Sequence, residues 1–560
     1  MISRFLKHLA KLAWFLPGFL LWAAFPPMGE KTDVLFALAP LLWLGRRSDV
    51  KTSVRRWFLN GLFFWVATLS WMPAIVKNGG PWPLVVLGWF GLAAYCAAYF
   101  AAFGYLSATY WQETKGRSYG WRLLGVLVVE PVLWCGLELV RSRLLGGFAW
   151  NQLGVVAVNG GFGSPATLGG VYLCSAIVLL INGTFAGIAE RVWKPEQSGF
   201  PRLKKFGTLE TLLAFGLVFG IYQLAQFPQP SQPSQPSHPS QPSQPSQPSQ
   251  PSQPSQPSFK VALVQRNFPC VFNRGERQDP YAVYGKLLGN VAALQPDLVV
   301  LSESAMCEFG PVDQQGAARF AEWASQQCGG ASVLTGGTRF GDGKEYNSAA
   351  LYSFQPSQPS QTLSLYDKVH LVPFGEFIPG DKLIPILQKL APVGSCTPGE
   401  LKTLPLVVGG RTIPIGVAIC FEDTDSAQMR ELAKKGAQAL VFITNDSWFS
   451  HSDETVQHAW QAVARAVETG LPVVRVGNSG VSGTIAPDGR TSWLIGADGK
   501  PLVDRSGTML DRIVVPGTKH QTPYVRLGDI PLAVAFALLI LAQVMIKYKA
   551  HYEKRRNLPL

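Results

Sequence analysis

The chain has 560 residues, 47% of them hydrophobic and 15% charged, with a formal net charge of +13. That length exceeds one ordinary core, and the apolar residues are unevenly placed: long uncharged runs fill the first 225 residues, another lies near the C-terminus, and a stretch of soluble composition separates them. The basic residues cluster in short loops beside the apolar runs, which favours orientation in a membrane over nucleic-acid binding, and the eight cysteines show no CxxC or Cys/His spacing, so no metal, cofactor or disulfide framework is signalled.

The N-terminus, MISRFLKHLAKLAWFLPGFLLWAAFPP, has the basic start and apolar middle of a signal peptide. It lacks a small-x-small cleavage site and further spans follow, so it reads as a retained first helix. Apolar runs then lie near 34–45, 57–76, 82–110, 121–140, 166–190, 207–225 and 529–547. A full span needs roughly 20 residues, and the run at 34–45 is short.

Charge supplies a second argument. Arg4, Lys7 and Lys11 precede the first run; Arg46, Arg47, Lys51, Arg55 and Arg56 follow the second; Lys115, Arg117 and Arg122 follow the fourth. Arg191, Lys194, Arg202, Lys204 and Lys205 follow the sixth, and Lys547, Lys549, Lys554, Arg555 and Arg556 the last. If basic loops stay cytoplasmic, the first two runs form a hairpin, seven crossings carry the chain outside, and an eighth returns it. The predicted units are a seven-helix membrane region (1–225), a linker (226–258), an extracytoplasmic domain (259–517), and a C-terminal span with a basic cytoplasmic tail (518–560).

Residues 228–258 repeat QPS almost without interruption. With no apolar residue to bury and Pro at every third position, this reads as an extended tether of about 3.1 Å per residue. The unit recurs in FQPSQPSQTL at 354–363, between two strand-like runs, as an insertion at a hairpin tip. A neutral expansion and a PxxP-type ligand are both compatible with it.

From 259 to 517, short β-rich runs alternate with helical ones. FKVALVQRNF, DLVVLSES, SVLTGGTRF, NSAALYSF, IPIGVAICF, ALVFITND and PVVRVGNSGVSG read as strands, and DETVQHAWQAVARAVETG as a helix closed by Gly. In such an α/β domain, polar residues just after buried strands gather at one edge, where sites are built. DLVVLSES carries Glu303, SLYDKVHLVPFGE carries Lys368, and GVAICFED carries Cys420. A cation beside a thiol lowers its pKa, a carboxylate can take its proton, and Lys368 with the backbone N–H after the nucleophile can stabilise an oxyanion.

PDLVVLSES, YDKVHLVPFGEFIP, GVAICFED, TNDSWFS, ARAVETGLPVVRVGNSGVSG and, in the membrane part, GGFAWNQLG at 146–154 together resemble the nitrilase, or carbon-nitrogen hydrolase, superfamily, and more closely the bacterial apolipoprotein N-acyltransferase family. The resemblance covers nearly the whole chain. It implies an α-helical membrane bundle plus an α/β nitrilase-like α-β-β-α sandwich, in the bacterial inner membrane with the catalytic domain on the periplasmic side. It implies Glu303 as general base, Lys368 as oxyanion partner and Cys420 as nucleophile of a ping-pong acyltransferase. The acyl chain would pass from a phospholipid, through a cysteine thioester, to the α-amine of the S-diacylglyceryl cysteine of an apolipoprotein. Glu376 and Glu422 match supporting glutamates, with a purely structural carboxylate as the alternative for each, and His370 is read as structural. Phe148 and Trp150 lie on an outer loop, as lipid contacts or as an interfacial anchor.

Three departures bear on detail. Phe421 stands where the family usually has Tyr, Ser302 precedes Glu303 where Pro is common, and VQRNFPCVFNRGER offers Phe268 and Phe272 but no Trp. A membrane-tethered amidase acting on C–N bonds and an inactive lipid- or lipoprotein-binding relative are the other readings. The preferred acyl chain, the oligomeric state and any pairing among Cys270, Cys307, Cys328 and Cys396 are not legible.

Overall fold

The computed structural model describes residues 13–193, 203–225, 257–268, 279–354, 362–378, 395–516 and 521–556. The QPS tether up to residue 256, its repeat at 355–361, Cys270, Phe272 and the basic residues before the first apolar run lie outside the described residues.

Among the described residues, five helices are long and apolar enough to cross a membrane: Val50–Asn78, Trp82–Glu113, Tyr119–Arg141, Ala166–Glu190 and Ile530–Lys549. The run at 207–225 gives a shorter apolar helix, Leu209–Leu224. The run at 34–45 differs from expectation: it yields only the helix Ala39–Gly45. Seven residues rise about 10 Å, a third of a bilayer core. The break is stabilised from a neighbour, because buried Asn182 accepts hydrogen bonds from the N–H groups of Leu38 and Ala39 at 2.8 and 3.0 Å and donates to the Val34 carbonyl at 2.8 Å. Interrupted backbone is tolerated at membrane depth where such partners exist. Close packing elsewhere depends on small residues: a Cβ on Gly104 would lie 2.6 Å from the Trp57 ring, and one on Gly61 2.7 Å from that of Phe100.

Among the described residues, the extramembrane part contains twelve strands in two sheets. The first, in the order β12-β1-β2-β3-β4-β5, comprises β1 (Ser258–Gln265), β2 (Leu298–Leu301), β3 (Ser332–Gly341), β4 (Lys344–Ser353), β5 (Thr362–Asp367) and β12 (Gly507–Val514). The second, β11-β10-β9-β8-β7-β6, comprises β6 (Thr403–Val408), β7 (Arg411–Ile419), β8 (Ala439–Asn445), β9 (Val473–Asn478), β10 (Gly483–Ile485) and β11 (Thr491–Trp493). β1, β2 and β3 run parallel, as do β7, β8 and β9, with antiparallel strands flanking each set. Parallel strands are buried on both faces, which accounts for the continuous apolar runs such as ALVFIT in β8.

Residues from both sheets, among them Val261, Val300, Leu334, Ile415, Val417 and Val441, form one apolar layer. Helices Pro280–Ala292 and Gln315–Gln327 cover the outer face of the first sheet. Helices Ser426–Lys434 and Glu454–Thr469 cover the second, giving an α-β-β-α sandwich. The Glu454–Thr469 helix ends on Gly470 at φ +69°, as the closing Gly predicts.

This helix is buried on nearly every side because it also docks on the membrane region. Gln457 accepts from Trp150 Nε1 at 2.9 Å and Asn151 Nδ2 at 3.0 Å, and donates to the Pro26 carbonyl at 3.0 Å. Glu468 accepts from the Val171 N–H at 2.8 Å, and Asn159 donates to the Trp460 carbonyl at 3.1 Å. Apolar side chains of the two regions share one core cluster.

Candidate active site

The carboxyl ends of β2, β5 and β7 bring together the three residues expected from the sequence. Glu303 lies two residues past β2, Lys368 follows β5 and Cys420 follows β7. The Glu303 turn lies so close to β3 that a Cβ on Gly336 would sit 2.7 Å from the Glu303 Cα, which requires glycine there. Cys420 opens a short 3₁₀ turn, Cys420–Thr424, with its own backbone at φ +54°. A non-glycine residue in that region is strained and needs surroundings that over-determine it.

Asn347 of β4 organises the set. Its Nδ2 donates to Glu303 Oε1 at 2.8 Å and to Glu376 Oε1 at 2.7 Å, while Lys368 Nζ donates to the same Glu376 oxygen at 2.9 Å. The Val372 N–H donates to the other Glu376 oxygen at 2.8 Å. Burial works against the Lys368 ammonium, but Glu376, Cys420 and Glu303 outweigh it and hold the lysine protonated well above its ordinary range. Burial also works against the Glu376 carboxylate; Lys368 and its hydrogen bonds prevail and keep it ionised below the usual range. For Glu303 burial prevails over Lys368, so its proton affinity is raised.

The thiol departs from expectation. The sequence predicts that the adjacent cation lowers the Cys420 pKa; instead burial, reinforced by Glu303, pushes it well above the ordinary thiol range despite Lys368. A protonated thiol therefore rests beside a basic carboxylate.

Glu422 is fully buried, and its carboxylate is engaged by hydrogen bonds on both oxygens. It accepts from Tyr366 Oη at 2.9 Å, from the Val369 and His370 N–H groups at 2.7 and 3.0 Å, and from the Ile419 N–H at 2.8 Å. It thereby ties the loop after Lys368 to the strand before Cys420. Of the two alternatives for this residue, the geometry matches the carboxylate satisfied by backbone N–H groups, whereas Glu376 contacts Lys368 directly. His370 lies 3.7 Å from Asp425, which raises its proton affinity, and its ring meets Phe421 edge-on at 5.7 Å.

Phe421 joins the nucleophile turn to the membrane region. Its ring stacks with Phe148 at 6.2 Å and with Trp150 at 6.3 Å, at 16° and 11° between planes. Phe148 in turn meets Trp65 at 5.9 Å, and Arg141 donates to the carbonyls of both Phe148 and Trp150 at 2.8 Å. Trp150 is only 2% exposed, so the interfacial-anchor reading is corrected for that residue: its indole lies inside the interdomain contact, where its N–H finds Gln457. Sequence reasoning missed Asn347; its one signal is a polar side chain inside the strand-like run YNSAALYS.

Comparison with known proteins covers both regions. The family model described as the apolipoprotein N-acyltransferase N-terminal domain matches residues 17–184, and the carbon-nitrogen hydrolase model matches residues 260–514. The apolipoprotein N-acyltransferase of Geobacter metallireducens is 30% identical over 482 residues, 84% of each chain. That of Photobacterium profundum is 27% identical over 547 residues, 94% of each chain. Among solved structures, the NitN amidase from Neterenkonia sp. AN1 aligns at 18% identity with a TM-score of 0.34, covering 49% of this chain and 98% of that one.

Proposed function

Because the chain belongs to the apolipoprotein N-acyltransferase family, and so is a membrane acyltransferase of lipoprotein maturation, we propose that Glu303, Lys368 and Cys420 carry the transfer and that a phospholipid is its acyl donor. The observation that carries this reading is the placement of the thiol: Cys420 stands beside Glu303 and Lys368 while the next residue, Phe421, stacks on the membrane region. A soluble amide gains nothing from that contact, whereas a lipid ester must reach the thiol from the bilayer.

In the first half-reaction Glu303 takes the thiol proton as Sγ attacks the ester carbonyl carbon. The oxyanion that forms is stabilised by Lys368 Nζ and the Phe421 N–H. Its collapse breaks the C–O bond, Glu303 returns the proton to the leaving alkoxide, and lysophospholipid departs, leaving an acyl thioester. In the second, the α-amine of the diacylglyceryl cysteine attacks the thioester, Glu303 accepts the amine proton, and the C–S bond breaks. The proton then returns to sulfur, leaving an amide and a free thiol. Glu376 keeps Lys368 placed and charged; Glu422 fixes the two loops on which Lys368 and Cys420 sit.

Incubation of the full chain with phospholipid alone should therefore give an intact-mass increase of one acyl group that hydroxylamine removes, and a diacylated lipopeptide should discharge it as amide faster than water does as fatty acid. An unmodified mass under turnover conditions would sink the thioester route, and discharge only to fatty acid would favour a hydrolase.

The orientation belongs to the same proposal: the catalytic domain faces the periplasm from the inner membrane. The basic residues from Arg46 to Arg56, beside the Val50–Asn78 helix, and Lys547 and Lys549, at the end of Ile530–Lys549, support a cytoplasmic position for those helix ends. A topology reporter inserted within 228–258 should read as periplasmic and one fused after Lys549 as cytoplasmic; the opposite pair would reject the orientation.

A further inference from the structure

The turn that opens with Cys420 also carries Asp423, which belongs to a second group of charges that the proposed reaction leaves unused. His458 Nε2 lies 3.0 Å from Asp423 Oδ1, and His458 Nδ1 lies 3.0 Å from Asp446 Oδ1 and 3.5 Å from Glu454 Oε1. Arg475 Nη2 lies 3.2 Å from Asp446 Oδ2, and its Nε 3.8 Å from Asp423 Oδ2. All five side chains are 3% exposed or less. Trp150 closes the group from the membrane side, its ring 5.5 Å from that of His458.

With a carboxylate oxygen 3.0 Å from each nitrogen, the ring is favoured as the imidazolium, hydrogen-bonded to Asp446 through Nδ1 and paired by charge with Asp423 at Nε2. The facing charges agree: Asp423 and Asp446 are balanced by His458 and Arg475, while Glu454, pushed up to about 8 by burial and by Asp446, adds little negative charge at neutral pH. Asp446, Glu454 and His458 bring donor atoms within 4.8 Å of one another, but the imidazolium and guanidinium already provide the positive charge that a metal ion would bring. The cluster is a network of ion pairs whose members stand at four places: the turn bearing Cys420, the residue just past β8, strand β9 and the docking helix.

We propose that His458 is a positioning residue for acyl transfer: hydrogen-bonded to Asp446 past the end of β8 and ion-paired with Asp423, it clasps the strained turn bearing Cys420 to the end of β8, under the cover of Trp150. The inference rests on Cys420 as nucleophile. It explains what holds a cysteine at φ +54°, and it links seating of the membrane loop to the geometry of the thiol. The clasp also acts through charge, because Asp446 raises the proton affinity of both Cys420 and Glu303 and the His458 cation offsets Asp446.

The test uses the full chain in phospholipid nanodiscs. In His458→Gln, single-turnover thioester formation is expected to slow about thirtyfold, with phospholipid affinity within about threefold of the parent. The acid limb of its pH profile should move upward: with a positive charge gone, Glu303 holds its proton to higher pH. The pH profile of Cys420 alkylation by iodoacetamide should move in the same direction, and this arm reads the clasp without any acyl transfer. A rate within threefold of the parent, or a uniform fall at every pH with neither profile displaced, would overturn the proposal. If His458→Gln does not fold, Asp423→Asn, whose amide oxygen can still accept, should slow thioester formation about tenfold, and an unchanged rate overturns the proposal equally. Failure of the underlying thioester reading shows elsewhere, as lipopeptide acylation by Cys420→Ala.

Discussion

Cys420→Ala is expected to show no hydroxylamine-sensitive acyl adduct after incubation with phospholipid, and to lose lipopeptide acylation by on the order of 10⁴-fold or more, to background. No neighbouring group can replace the sulfur. Lys368 is held protonated by three acidic neighbours and offers no lone pair. Glu303 sits where it can receive a proton. The substitution also removes little packing volume, so expression and thermal stability should stay near those of the parent. Residual acylation above about one per cent, or an adduct mapping to Cys307 or Cys396, would reject Cys420 as the acyl carrier whatever the family membership. Glu303→Gln provides an internal control: it keeps the contact with Asn347 in shape but removes the base, so thioester formation should slow while lipid binding persists.

What the sequence could and could not convey divides along a physical line. Strands buried on both faces announce themselves as apolar runs, and a chemically active residue at the end of such a run is legible because nothing in strand packing calls for it. Glu303, Lys368 and Cys420 stand out at strand ends for that reason, but it is the motifs around them, not any one residue, that single them out as a set. The direction of the Cys420 shift was not, because burial is a property of the assembled site, and here it outweighs the visible neighbour Lys368. The short helix at Ala39–Gly45 was likewise hidden: its length follows from Asn182, far along the chain, which satisfies the broken backbone.

The docking helix shows the same limit more sharply. Its apolar spacing predicts one face against a sheet, and that face is present. Its polar residues Gln457, His458, Gln461 and Glu468 are nevertheless buried, each 2% exposed or less. Polar side chains buried in this way must be hydrogen-bonded or paired; the partners of Gln457 come from the membrane region, and Glu468 adds the Val171 N–H of that region to its own-domain partners Arg465 and Ser426. The two regions therefore meet through specific polar bonds as well as the aromatic stack. The geometry of the catalytic edge is set in part by residues that, in sequence, belong to a membrane bundle.

Lys368→Met should be the most damaging change among the residues that are not the nucleophile. Met approximates the volume of the lysine stem, so the loss is of charge and of a donor. Removing an oxyanion donor costs about 10²–10³ in rate, and a second loss follows from the carboxylates. Glu303 and Glu376 both bond to Asn347, and Lys368 is the cation that makes that proximity tolerable. Without it Glu376 loses what keeps it ionised, the proton affinities of both groups rise, and Glu303 is held protonated over a wider pH range, unable to receive the thiol proton. Thioester formation should fall about 10³-fold or more near neutral pH and recover partly as pH rises. Breaking a buried pair by removing one partner also costs about 3–5 kcal/mol, so thermal stability should drop. The double variant Lys368→Met with Glu376→Gln separates the two roles. Neutralising Glu376 removes the stranded charge and should restore much of the stability, while the rate stays low because the oxyanion still lacks its donor. If the double variant recovered activity together with stability, Lys368 would be a structural counter-ion to Glu376 and the oxyanion role assigned to it would be wrong.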